Sequence, residues 1–264
     1  MTADRLPPER RGRIGLRFFL CDIGGCIRMF ALCSHFDKMN GTYYKTDDDY
    51  LRDVVDPAKD VEGLCHDYNA RHLFRARAKH RSRCQNGDIY VPCTALAVTK
   101  ILEAYHPPLG SAENEHERWR GEIITVINRS EIMGRPLAAI LALNGARVYS
   151  VDEDSILEFR PDGRMKRCTG GLTLERCLQQ STIVVTGVPS PHFRVPAQAI
   201  QDGTTIVNVS EFSNVDETDF LARPNVTLIP QVGKVTVAAL EHNLVRLHQN
   251  NARQANHCDT KIDA

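Results

Sequence analysis

Residues 123–136 read Ile123-Ile124-Thr125-Val126-Ile127-Asn128-Arg129-Ser130-Glu131-Ile132-Met133-Gly134-Arg135-Pro136, and the architecture of the chain follows from them. The first five are apolar or β-branched, the pattern of a strand buried on both faces. A short polar loop follows. Pro136 sits where a first helical residue tolerates the missing N–H, so the spacing predicts a helix over Leu137–Asn144, stopped by Gly145. Arg147–Val151 then reads as a second strand that ends at Asp152. Working outward, Ser181–Thr186, Thr205–Val209 and Asn225–Ile229 read as further strands, and Val235–Asn250 as the last helix. Upstream, Thr94–Tyr105 reads as a helix with Thr94 as its N-cap, and Asp48–Val55 as a short one. Strands alternating with helices predict an α/β fold with a doubly wound parallel sheet.

The loop between Ile127 and Pro136 is also the candidate site. Backbone N–H groups at a helix start are unpaired and attract an anion. Ser130 adds a hydroxyl, Arg129 a positive charge, and Gly134 lets the backbone approach a ligand. Eighteen residues after Gly134, Asp152 stands where a carboxylate accepts from adenosine-ribose hydroxyls, as in Rossmann-like dinucleotide sites. A 2′-phosphate there meets a like charge, so the residues favour NAD over NADP. The loop is not Gly-x-Gly-x-x-Gly, and the plainer alternative is an ordinary crossover with a surface aspartate.

Composition narrows the classes. Thirty-three basic residues balance thirty-three acidic ones, so no net charge draws the chain to nucleic acid or an anionic membrane. The basic run Arg71–Arg83 has a single aromatic, Phe74, rather than an interleaved series, and reads as a solvated face. No apolar run reaches the roughly 18 residues of a spanning helix. The nine cysteines are irregularly spaced without a Cys-x-x-Cys pair, which favours reduced thiols and a cytoplasmic location. Cys21, Cys26, Cys33 and His35 match no usual zinc-finger spacing, so no metal is expected.

Lys59-Asp60-Val61-Glu62-Gly63, Pro92-Cys93-Thr94, the run Ile127–Pro136, and Gly233-Lys234-Val235-Thr236 together resemble the methylenetetrahydrofolate dehydrogenase/cyclohydrolase family, over about Tyr50 to His248. Tyr149-Ser150-Val151-Asp152 is similar to its NAD-dependent, monofunctional branch. The resemblance implies oxidation of 5,10-methylenetetrahydrofolate to 5,10-methenyltetrahydrofolate, with NAD as cofactor and a homodimer formed through the cofactor domain. It implies a pterin contact at Glu62. It places Arg129 and Ser130 at the cofactor phosphate and ribose, and Asp152 at the adenosine ribose. Thr186, Gly187, Val188 and Pro189 would line the nicotinamide ribose, while Gly233 and Thr236 would close on nicotinamide and pterin. Cys93 would line the cleft. As a thiol at a helix start it is a catalytic candidate, although hydride transfer needs no nucleophile and small cysteines often only pack.

The resemblance also implies domains: an atypical segment 1–49, part of a folate-binding catalytic domain over 50–110, a NAD-binding Rossmann domain over 111–235, and a C-terminal helix over 236–264 that returns to the catalytic domain. The family's Tyr-x-x-x-Lys, which supplies its catalytic lysine, is not found ahead of Tyr50. From this we expect an incomplete N-terminal substrate domain, no cyclohydrolase activity and an impaired dehydrogenase. The alternative is a non-catalytic NAD-binding or dimerising relative.

Overall fold

The computed structural model describes residues 36–37, 42–43, 51–52, 54–64, 90–106, 117–220, 223 and 225–259, with side chains as far as 253. The basic run 71–83 and Cys21, Cys26, Cys33 and His35 lie outside the described residues. The chain divides into two compact units, 1–57 and 58–264. In the first, β1 (Phe36–Asp37) pairs antiparallel with β2 (Thr42–Tyr43), and Leu51, Arg52 and Val54 are helical.

The second unit holds α1 (Cys93–Tyr105), β3 (Ile123–Ile127), α2 (Gly134–Leu143), β4 (Arg147–Val151), β5 (Ile156–Phe159), β6 (Met165–Arg167), α3 (Leu174–Leu178), β7 (Ile183–Thr186), β8 (Thr205–Asn208), β9 (Thr227–Ile229) and α4 (Gly233–Asp259). Its seven strands lie in the order β6-β5-β4-β3-β7-β8-β9. Strands β4, β3, β7, β8 and β9 are parallel, while β5 and β6 extend the β4 edge antiparallel. The doubly wound sheet expected from the sequence is therefore present, with an antiparallel extension that the sequence pattern did not reveal.

Side chains alternate across the sheet as the period of two demands. Ile124, Val126, Ile183, Val185 and Val207 face one layer, where they pack with Val98 and Leu102 of α1 and Leu137 and Leu141 of α2. Ile127, Val184 and Ile206 face the other, against Leu178, Val195, Ile200 and Phe220. Burial on both faces explains why β3, β7 and β8 read as continuous apolar runs.

Helix boundaries differ from expectation for local reasons. α1 begins at Cys93 after Pro92, with no side-chain cap, so Thr94 lies inside the first turn rather than at the cap. α2 begins at Gly134, two residues before Pro136, which still falls among the first N–H groups that lack an intrahelical acceptor. Gly145, at φ 103°, ends the segment as expected. α4 begins at Gly233 and runs to Asp259, past the expected end. It lies along α1, where Cys93, Ala97 and Ala239 share one buried cluster with Leu96, Val235 and Leu240.

The N-terminal edge of the sheet is tied by a buried polar cluster. Glu122, just before β3, accepts from Thr182 Oγ1 and stands 3.4 Å from His106 Nε2. His106 Nδ1 is 2.9 Å from Thr205 Oγ1, so the end of α1 is fastened to β8. Among the described residues no helix is long and apolar enough to cross a membrane.

Candidate functional site

Strand order reverses between β3 and β7, whose crossovers run to opposite sides. In a doubly wound sheet the crevice beyond the strand C-termini at such a point is where ligands bind. The loops after β3, β4, β7 and β8 meet at this edge, so the residues expected at a dinucleotide site from the first three loops are brought to one end of the sheet.

The β3 loop opens with Asn128 at φ 87°, a left-handed conformation that asparagine tolerates better than most residues. Its amide N–H donates to Val151 O at 3.0 Å, and its Nδ2 donates to Gly187 O at 2.6 Å. Gly187 N in turn donates to Ile127 O at 3.1 Å. Asn128 thus staples the β3, β4 and β7 ends together. Ser130 Oγ accepts from Met133 N at 3.2 Å and Gly134 N at 3.3 Å, capping the start of α2. Gly134 has a different job from the one its position suggests. A Cβ there would lie 1.8 Å from Asn128 O, so the missing side chain makes room for the loop's own carbonyl.

Asp152 follows β4 with its side chain 45% exposed, and its backbone N–H donates to Ser155 O at 3.0 Å. Arg129 reaches across to the turn between β4 and β5. Its Nη2 donates to Ser150 O and Ser155 O, each at 2.7 Å, and Nη1 stands 3.8 Å from Asp152 Oδ2. Burial pulls the Arg129 pKa below its ordinary value, and the Asp152 charge opposes that fall in part; an arginine remains charged throughout.

The β7 loop is held by a residue that the sequence reading missed. Asn214 Oδ1 accepts from Thr186 Oγ1 at 3.1 Å and from Val188 N at 2.9 Å, while its Nδ2 donates to Val188 O at 3.0 Å. Ser210 Oγ also donates to Val188 O, at 2.9 Å. The Thr186 side chain is fully buried and engaged by Asn214, and the backbone groups of Gly187 and Val188 are bonded within the protein, so the loop turns the exposed Pro189 outward. At the end of β8, Asn208 Nδ2 donates to carbonyls of Ser210, Phe212 and Pro230, but its buried Oδ1 has no partner among the described residues. Nothing in the sequence pattern distinguished Asn208 or Asn214 from ordinary loop asparagines.

A second group gathers around α1 and α4. Cys93 is 6% exposed; its thiol donates to Val61 O at 3.8 Å and accepts from Asn243 Nδ2 at 3.6 Å. Glu62 follows in the turn where Leu64 N donates to Asp60 Oδ1 and Gly63 sits at φ 64°, against the Tyr90 carbonyl. Asn243 Nδ2 also donates to Val91 O at 2.9 Å, and Asn251 Nδ2 donates to Ala58 O at 2.9 Å. Gly233 and Thr236 form the first turn of α4 rather than a loop, with Thr236 Oγ1 donating to Val232 O at 3.2 Å. Pro230 O, bound to Asn208, carries the chain from β9 to that turn along the same sheet edge.

This strand order and the residues at its switch point define a doubly wound α/β protein of the Rossmann type. No profile of a known protein family matches the chain. Individual proteins do. It is 40% identical over 214 residues to a methylenetetrahydrofolate dehydrogenase [NAD(+)] of Dictyostelium discoideum, covering 77% of this chain and 64% of that protein. It is 36% identical over 231 residues to the protein of the same name from Saccharomyces cerevisiae, covering 81% and 70%. The solved NAD-dependent 5,10-methylenetetrahydrofolate dehydrogenase from Saccharomyces cerevisiae superposes with a TM-score of 0.65 at 35% identity, covering 77% of this chain and 66% of that chain. The chain therefore belongs to the methylenetetrahydrofolate dehydrogenase family, and it spans 64% of the length of the Dictyostelium relative.

Proposed function

We propose that this chain holds the NAD site and part of the folate site of a dehydrogenase that oxidises 5,10-methylenetetrahydrofolate to 5,10-methenyltetrahydrofolate. The observation that carries this is the outward carboxylate of Asp152 at the end of β4, 3.8 Å from Arg129 Nη1 of the β3 loop, on the edge of the sheet where its strand order reverses. The residues fit a dinucleotide. The positive end of α2 favours an anion beside the Ser130 hydroxyl even though Ser130 takes the N–H groups of Met133, Gly134 and Arg135, Asp152 offers acceptors to ribose hydroxyls, and Asn208 Oδ1 is a buried acceptor that a ligand donor would satisfy. Bound NAD supplies the hydride acceptor. The chain's own residues position it: Arg129 and Asp152 set the adenosine end, the Ser130 loop that Gly134 lets close up sets the pyrophosphate, and the Thr186–Pro189 loop lies at the nicotinamide ribose. The first turn of α4, with Gly233 and Thr236, and Glu62 face the folate side in this reading. Cys93 packs against Asn243 instead of reacting, because its thiol is buried and the reaction needs no nucleophile.

The same reading assigns residues 111–235 to the cofactor domain and places 50–110 with the returning helix 236–264; the α1–α4 cluster supports that pairing. It includes a homodimer through the cofactor domain, by resemblance to the family, and a cytosolic location, by the irregular cysteine spacing. The test is NADH formation at 340 nm from 5,10-methylenetetrahydrofolate, beside calorimetric titration of NAD. We expect NAD binding and substrate-dependent NADH formation. NAD binding without any NADH formation would overturn the dehydrogenase and leave a dinucleotide-binding module.

A further inference from the structure

Arg129 stands beside the ribose carboxylate, a place where a guanidinium ordinarily serves the 2′-phosphate of NADP. Here the β4–β5 turn has already taken its donors. Nη2 is shared between the carbonyls of Ser150 and Ser155. Nε donates to Ser150 Oγ at 3.2 Å, and Nη1 donates to Ser155 Oγ at 3.0 Å. The Ser155 carbonyl also accepts from the backbone of Asp152, so one residue fixes both the base and the acid. The result is an asymmetry of exposure: the Arg129 side chain is 13% exposed, the Asp152 side chain 45%.

We propose that Ser155 is a specificity-determining positioning residue: it parks Arg129 against the β4–β5 turn, leaves Asp152 to face the adenosine ribose, and so excludes a dinucleotide carrying a 2′-phosphate. The inference rests on the NAD reading above. The two backbone carbonyls satisfy Nη2 whatever residue 155 is. Only the Ser155 hydroxyl satisfies Nη1, the group nearest Asp152 and therefore the group nearest an incoming 2′-phosphate. Without it, Nη1 is released to pair with that phosphate and offset the repulsion from Asp152.

The test is calorimetric titration of NAD and NADP against the wild type, Ser155→Ala and Ser155→Thr, with melting curves of each. We expect the wild type to prefer NAD. Ser155→Ala should lower the NAD:NADP affinity ratio by about fivefold, mainly by tightening NADP, the size expected for one ordinary hydrogen bond. Ser155→Thr, which keeps the hydroxyl, should restore the ratio. In an Arg129→Gln background, Ser155→Ala should leave the ratio unchanged, which a general structural role would not require. A ratio that stays within about twofold in Ser155→Ala, or two affinities that fall together, overturns the role of Ser155 while the NAD site stands. Failure of the wild type to bind either dinucleotide overturns both.

Discussion

At the scale of single residues, the site depends on side chains whose value lies in charge or in size. Asp152 is the charge. In the proposed site it accepts from a free ribose hydroxyl and repels a phosphate, so Asp152→Ser should narrow the NAD:NADP affinity ratio by about tenfold, the worth of a charged hydrogen bond. Calorimetry with both dinucleotides checks this, and an unchanged ratio would remove Asp152 from the adenosine pocket. Gly134 is the size. A Cβ placed there meets Asn128 O at 1.8 Å, and backbone cannot yield as a flexible side chain can. Gly134→Ala should cost about 1–3 kcal/mol of stability, as overpacking does, and weaken NAD binding as the Asn128 staple shifts. Gly233→Ala is the contrast. A Cβ added at Gly233 would meet nothing within 4 Å and its φ is not left-handed, so the urea midpoint should stay or rise.

At the scale of elements, the β3–α2–β4 unit was legible because its signals are local: five apolar β-branched or aliphatic residues, a polar loop, an apolar helix and a glycine stop. β5 and β6 were not. Ile156–Phe159 is only four residues, and Met165–Arg167 is fully exposed at the sheet edge, so neither carries a hydrophobic period. That omission reached the site. Arg129 was legible as a positive charge in the β3 loop, but its partner Ser155 belongs to a turn whose following strand has no legible pattern. The far end of α4 was missed because Gln249, Asn250 and Asn251 offer no apolar stripe, and Thr94 was misplaced because Pro92 already supplies the extended residue before the helix. The Glu122 cluster is a contact between elements that sequence spacing could not show, and it makes stability depend on pH. Burial pushes the Glu122 carboxyl up, but hydrogen bonds from His106 and Thr182 and the charge of His106 outweigh it, leaving the pKa below its ordinary 4.5. A depressed folded-state value gives stability that is complete above the unfolded value and lost as pH falls through the folded one. Resistance to urea should therefore weaken as pH drops below about 4.5, and Glu122→Gln should lower stability at neutral pH while flattening that acid limb. An acid limb identical in the variant would assign the loss to other carboxylates.

At the scale of the molecule, the residues proposed to hold the dinucleotide and the one proposed to meet the folate are tied to different parts of the fold. Asn128, Arg129, Ser130, Asp152 and the Thr186–Pro189 loop are tied to the sheet and to one another. Glu62 belongs to a turn that is tied elsewhere: its neighbours Val61 and Gly63 meet Cys93 and Tyr90, and Ala58 is held by Asn251 of α4. If Glu62 contacts the pterin, its removal should act on the second substrate and leave the first alone. Glu62→Ala should lower kcat/KM for 5,10-methylenetetrahydrofolate by about 10- to 100-fold, the range for a lost hydrogen bond between a charged group and its partner. The NAD dissociation constant should stay within about twofold, because distant sites with no shared partner act independently. Glu62→Gln, which keeps an acceptor but loses the charge, should fall between the wild type and Glu62→Ala. The outcome that defeats this division is a parallel loss of NAD affinity, since it would mean that the turn at Glu62 helps to form the dinucleotide site as well.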